Sequence, residues 1–304
     1  MNIASKIAKE SIITFSGMIY GNINRYIYSA LLARWVGPEY LGIYSIANAI
    51  MLISEVVAKM GLETGVMRYI SRLKPDSDIK KIRKIIASAL KMSFLFSILI
   101  MFFLIASTPF IVKNILKEKP LLISVLMVFS IAIPFNSLTQ VSAFATQGFK
   151  KLKYKTLVTQ FLNPSVLLIA MIVSYLYFSK EAMLISPMLF SGIIGTFAML
   201  YLLTIVSGVK LIQVIKAPFD FDLLKFSYPF MFVIILQTFM HWMDILMLGF
   251  YTDASTVGLY HPAARTAGLL QALLLSFLIP CAKACDQFRI LATSFLRAKT
   301  RNCL

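Results

Sequence analysis

The sequence predicts an all-α polytopic membrane protein, and three observations lead there. Hydrophobic residues make up 59% of the 304 positions, and the mean hydropathy is +0.81. Only 14% of residues are charged, against about 25% in soluble domains. The apolar residues are also gathered into runs long enough to cross bilayer hydrocarbon, which takes about 20 residues. A water-soluble fold of this length has no interior large enough to hide so much apolar surface. Lipid leaves open strand edges unsatisfied, so the runs read as helices.

Eight runs follow in order: Ile12–Ala33, Leu41–Met60, Ile86–Ala106, Leu121–Thr146, Leu157–Phe178, Ala182–Val206, Tyr228–Phe250 and Val257–Leu278. The first is too long for a cleavable signal peptide and has no small-residue cleavage site. It stops at Gly37-Pro38, because proline has no N–H to donate and restricts the residue before it. Gly42 stands where the second begins. The stretch from Glu63 to Lys84 is charged but carries Val66, Ile70 and Leu73 at helical spacing. It reads as an amphipathic helix lying along the inner membrane face. Lys150, Lys151, Lys153 and Lys155 form a basic loop before the fifth run. Gln213 to Lys225, with Pro218, is the linker before the seventh.

The loops orient the chain. With the N-terminus cytoplasmic, the inner segments hold sixteen basic residues and the outer loops five, as the positive-inside rule requires. The net charge of +17 suggests nucleic acid when taken alone. Its clustering between spans points instead to topology and to anionic lipid headgroups, so no nucleic-acid partner is expected. Cys281, Cys285 and Cys303 have no histidines at metal spacing, and they make neither a zinc site nor a disulfide framework.

An internal repeat organises the chain. Ala33-Arg-Trp-Val-Gly-Pro-Glu-Tyr-Leu-Gly-Ile-Tyr44 joins the first two runs, and Thr256-Val-Gly-Leu-Tyr260 joins the last two. Gly42, Tyr44 and Ala47 align with Gly258, Tyr260 and Ala263 at one offset of 216 residues. Together with Met60-Gly-Leu-Glu-Thr-Gly-Val-Met-Arg-Tyr-Ile-Ser71 and Asp244-Ile-Leu-Met-Leu-Gly-Phe-Tyr251, the first stretch resembles the polysaccharide-biosynthesis flippases. These are the O-antigen and oligosaccharide-lipid translocases of the multidrug/oligosaccharidyl-lipid/polysaccharide exporter superfamily. The resemblance covers about residues 1 to 278. It implies one six-helix lobe (1–208), a cytoplasmic linker (209–226) and the first two helices of a second lobe (227–280) of a MATE-like fold. The tail, 281–304, is polar and basic and does not resemble the family's continuation. The expectation is a truncated or frameshifted copy; the alternative is a short variant that pairs with another subunit.

Ionisable residues inside a span are costly and face a cavity or a partner. Arg25, with Asn22 and Asn24, lies well inside the first run. It reads either as a cavity cation for a phosphate or as a hydrogen-bond hub between helices. Arg265 in the eighth run matches, by helix position, a cavity arginine of related lipid-linked precursor flippases; the other reading pairs it with Asp244. Asp244 is either a coupling-ion ligand or that partner. Glu55 pairs best with Lys59 at i+4. Asn136 and Gln140 beside Pro134, and Asn163 beside Pro164, offer hydrogen bonds to a sugar, although packing between helices explains such residues too.

No phosphate-cradling glycine loop is present, no cofactor is implied, and the chain is not expected to be an enzyme. The resemblance implies flipping of a lipid-linked oligosaccharide, of the polyprenyl pyrophosphate type, across the cytoplasmic membrane. Membrane lipids and other polysaccharide assembly proteins are the further partners. An ion-coupled multidrug or cation exporter and a non-transporting scaffold are the alternatives.

Overall fold

Every apolar run becomes helix where it is described, since a helix satisfies its own backbone in lipid. The computed structural model describes residues 3–73, 78–116, 120–177, 180–209, 211–264 and 266–268. The helices are α1 (Ile3–Trp35), α2 (Pro38–Lys59), α3 (Leu62–Arg72), α4 (Ile79–Phe110), α5 (Pro120–Gly148), α6 (Leu152–Thr156), α7 (Asn163–Tyr177), α8 (Lys180–Ser207), α9 (Leu211–Lys216) and α10 (Phe221–Tyr251). π-Helical turns at Ile111–Leu116 and Leu157–Leu162 prolong α4 and join α6 to α7. A further helix, α11, begins at residue 254. The chain divides into two units, Met1–His261 and Pro262–Leu304. In the second, the described residues 262–264 and 266–268 are helical. Arg265 and the tail 281–304 lie outside the described residues.

Six segments are long and apolar enough to cross a membrane: Pro38–Lys59, Ile79–Asn114, Pro120–Gly148, Leu152–Tyr177, Lys180–Ser207 and Phe221–Tyr251. The protein is an all-α polytopic membrane protein. α1, at 33 residues, is longer than all but one of them and is not among the six. Asn22, Asn24 and Arg25 lie among tyrosines in its middle and dilute its hydropathy.

Burial ranks the spans. α2 is 72% buried over its apolar window and α5 50%, against 17% to 33% for the others. α2 and α5 are therefore the centre of the first unit. Tyr28, Tyr44 and Phe129 join α1, α2 and α5 there, with Tyr44 edge-on to Phe129 at 5.7 Å. Phe102, Phe103, Phe197 and Met240 are more than 60% exposed, a surface suited to acyl chains and not to water.

Close backbone approach sets the helix crossings. Gly17 and Gly21 of α1 form a Gly-x-x-x-Gly stripe, a spacing that lets helices meet closely in lipid. A Cβ on Gly17 would strike Thr156 and Phe161, and one on Gly21 would strike Gln160. Tyr20 stacks on Phe161 at 5.0 Å, and its hydroxyl lies 2.9 Å from the Ser165 Oγ. α1 is thus seated on the α6–α7 segment.

The turn after α1 is built as expected. Val36 and Gly37 donate to the Leu32 and Ala33 carbonyls, Gly37 adopts φ 105°, and Pro38 takes the first helical position of α2. Met60 and Gly61 then carry positive φ and turn α2 into α3.

α3 corrects one expectation. Val66 and Ile70 are fully buried, and Leu73 is half-buried, so the apolar stripe is real. It is covered by protein and not by lipid, because α3 packs on α5 and α10. Gly61 and Gly65 admit Ser227 of α10, Arg68 lies 4.4 Å over the Phe230 ring, and Tyr69 meets Phe226 edge-on.

The 216-residue repeat is present in the contacts. A Cβ on Gly42 would collide with the Ala254 carbonyl, and one on Gly258 with the Pro38 carbonyl. Pro38 and Ala254 are 216 apart, as are Gly42 and Gly258. The contact is therefore reciprocal, as across a two-fold axis. The neighbouring pairs repeat as well: Tyr28 faces Tyr44 at 5.5 Å, and at the same offset Asp244 accepts a 2.7 Å hydrogen bond from Tyr260.

Gly21→Leu is expected to separate α1 from the α6–α7 segment and to lower stability by about 1–3 kcal/mol, the usual cost of overpacking. Thermal unfolding in detergent checks this; an unchanged melting temperature would mean that α1 is not seated through Gly21.

Candidate functional site

The polar groups of the first unit gather in separate clusters. One is the α2–α3 corner. Lys59 closes α2 and binds Glu55 one turn back at 3.1 Å, as the i+4 spacing predicts, and also Glu63 one turn ahead at 2.9 Å. Sequence reasoning misses Glu63, because it lies beyond the Gly61 break. The Met60–Gly61 turn keeps the i+4 geometry across that break. All three residues are at most 6% exposed. Two carboxyl groups thus share one ammonium.

Lys155 stands beside this trio, attracted by Glu63 and repelled by Lys59. The sequence places it in the basic loop, whereas the structure places it in α6, at the entry of the Leu152–Tyr177 span. It donates to Gln147 at 2.9 Å, lies 3.4 Å from the Phe144 ring centroid, and interacts electrostatically with Glu63 and Lys59. Its position as the last basic residue before Thr156 and the apolar run is the available signal. Asn136 of α5 brings its side chain beside Glu55, so one predicted amide joins this cluster.

A second cluster centres on Arg25. Its guanidinium donates to the Thr159 carbonyl at 3.2 Å, to the Gln160 side chain at 3.2 Å and to Asn22 at 3.4 Å. The Thr159 carbonyl has a local reason to be available. In an α-helix it would accept from the Asn163 N–H, but in the π-turn that N–H goes to Val158. The π-type partner, five residues on, is Pro164, which has no N–H. A carbonyl freed in this way must find another donor in lipid, and Arg25 supplies one. The hub reading of Arg25 therefore has a definite geometry.

The remaining predicted residues separate. Asn24 donates to the Tyr20 carbonyl within its own helix. Asn136 and Asn163 both abut α8, where Gly192 leaves room for the Asn136 Oδ1 and Gly195 for the Asn163 amide. Ser191 donates to the Asn163 carbonyl at 3.0 Å. Gln140 is half-buried on α5, one turn from Asn136. Asp244, on α10, accepts from Tyr260 and from the Ile245 N–H. Its proposed partner Arg265 lies outside the described residues. Among the described residues, no cluster of histidine, cysteine or carboxylate side chains fits a metal ion.

The polar clusters lie in a polytopic helical unit whose repeated glycine turns cross at Gly42 and Gly258. A family model described as polysaccharide biosynthesis protein matches residues 7–280. The chain belongs to that family, and its role is in polysaccharide biosynthesis. No curated protein and no solved structure matches it.

Lys59→Met is expected to destabilise the unit by about 3–5 kcal/mol, since it strands two buried carboxylates. Adding Glu55→Gln and Glu63→Gln to Lys59→Met should recover much of the loss, which denaturation of the variants side by side would detect. Arg25→Ala should cost about 1–3 kcal/mol through the orphaned Thr159 carbonyl. If Arg25→Ala unfolds at the wild-type temperature, the carbonyl has another donor.

Proposed function

We propose that the protein flips a lipid-linked oligosaccharide, carried on a polyprenyl pyrophosphate, across the cytoplasmic membrane for polysaccharide assembly, with its N-terminus in the cytoplasm. The substrate class is that of the family. The observation that carries the mechanism is the reciprocal crossing of Pro38 and Gly42 with Ala254 and Gly258. A two-fold contact between repeated elements can part and re-form as the two repeats rock, which is how repeat-built transporters alternate access.

In this reading the carrier's isoprenoid tail stays among acyl chains while the charged head passes between the halves. Arg25 and Asn22 attract the pyrophosphate. Asn24, Asn136, Gln140 and Asn163 are the candidate hydrogen-bonding groups for the sugar. Asp244 and Tyr260 mark the position on the second repeat that corresponds to Tyr28 and Tyr44, and Arg265 is the candidate second cation.

Disrupting the gene in its host should abolish the surface polysaccharide and leave the lipid-linked oligosaccharide on the cytoplasmic leaflet. Normal surface polysaccharide would sink the reading. Restoring the gene as Gly42→Ala or Gly258→Ala should reduce surface polysaccharide at least tenfold with the protein still present. The double variant should be little worse than either single, because both changes act on one crossing.

A further inference from the structure

We infer that the groove between the first turns of α4 and the linker helix α9 is a binding site for a phosphate-bearing anion, separate from the transport route. The cavity has a volume of about 480 Å³ and is lined by Lys80, Arg83, Lys84, Ala87, Gln213, Lys216 and Ala217. That volume lies within the range of small-ligand pockets, about 300–1,000 Å³. Four of the seven lining residues are cations and none is a carboxylate.

The arrangement is fixed by the fold. Lys80, Arg83, Lys84 and Ala87 recur at three- and four-residue spacing and so share one face of α4. Ala87 is small and leaves the floor open. Arg83 is anchored through its Nε to the Ser207 carbonyl at 2.8 Å. Gly208, at φ 67°, gives it room, since a Cβ there would come within 2.6 Å of the guanidinium. The opposite wall is tied to α4 as well: Ser88 donates to the Pro218 carbonyl at 2.6 Å and Lys91 to the Ala217 carbonyl at 2.9 Å.

The charge is placed against local preference. The first turn of a helix favours acidic residues, because its N–H groups leave partial positive charge there. The first turn of α4 has no acidic residue, and Lys80 and Lys81 stand in it. Asp78 stands at the N-cap outside the lining, and the four cations that line the groove repel one another until an anion sits between them. Phosphate suits the site best: Arg83 supplies a planar fork for its oxygens, and the lysines supply point charges. The groove lies at the end of the Ile79–Asn114 span, within reach of a lipid headgroup and of a soluble phosphate.

The test uses the full chain in nanodiscs of phosphatidylcholine, titrated in one arm with phosphatidylglycerol and in the other with inorganic phosphate. Melting temperature and native mass spectrometry are the readouts. Wild type should show saturable stabilisation in at least one arm. Lys80→Gln/Lys84→Gln/Lys216→Gln should weaken it on the order of a hundredfold. Lys150→Gln/Lys151→Gln/Lys153→Gln, with the same loss of charge elsewhere, should not. A response confined to phosphatidylglycerol identifies a headgroup site, and one to inorganic phosphate a soluble-anion site. No saturable response, or equal weakening in the two triple variants, overturns the proposal.

Discussion

Lys59 is the residue on which the first unit turns. Its ammonium ends α2, starts the corner into α3, and holds a carboxylate from each helix at 2.9–3.1 Å while nearly excluded from solvent. Removing such charges from water is expensive, and their attraction repays it only when the geometry is good and the remaining valences are filled. Here Asn136 of α5 hydrogen-bonds Glu55, and Lys155 of α6 attracts Glu63. Apolar packing alone would let α2 and α3 meet at many angles. The ion cluster accepts one, and that angle presents Gly61 and Gly65 to α10.

The second constraint is that no backbone group inside lipid goes unpartnered. Pro164 breaks the ladder of its own helix, and a π-turn just before it moves the vacancy to the Thr159 carbonyl. α1 reaches that carbonyl with a long cationic side chain, and Gly17 and Gly21 let the two backbones approach. Arg25, which lowers the hydropathy of α1, therefore also fastens it. Its polar character and its position follow from one requirement.

These two cases show how far the sequence can be read. Periodicity and loop charge locate the long helices, and the i+4 spacing gives the Glu55–Lys59 pair. Glu63 is hidden because a glycine at 61 reads as an end, whereas a positive-φ pair lets the spacing carry through. Lys155 is hidden because charge in a lysine-rich loop reads as topology, and only the fold shows that α6 carries it into the span. Arg25 visibly needs a partner. The partner's identity depends on a π-turn, and no local pattern announces a shift of one hydrogen bond. The amphipathic character of α3 is legible, but the pattern does not say whether lipid or protein covers the stripe.

The repeat adds a second kind of contact to these. At the α2–α3 corner and between α1 and the α6–α7 segment, helices are fixed by ions and by charge-assisted hydrogen bonds, which tolerate little sliding. Across the repeat, Gly42 meets Ala254 and Gly258 meets Pro38, backbone against backbone, while α10 rests on α3 through Phe226, Phe230 and the faces they offer to Arg68 and Arg72. Contacts of shape and ring face are non-directional, and their energy falls smoothly as surfaces tilt. A buried ion pair pulled apart by the same tilt would leave both charges stranded. The two kinds of contact therefore have different places. Directional bonds hold α2 to α3 and α1 to the α6–α7 segment, and contacts of shape and ring face join the two copies of the repeat. The two glycines belong to the second kind, since only a bare Cα lets each backbone reach the other's carbonyl from the same distance on both sides of the axis.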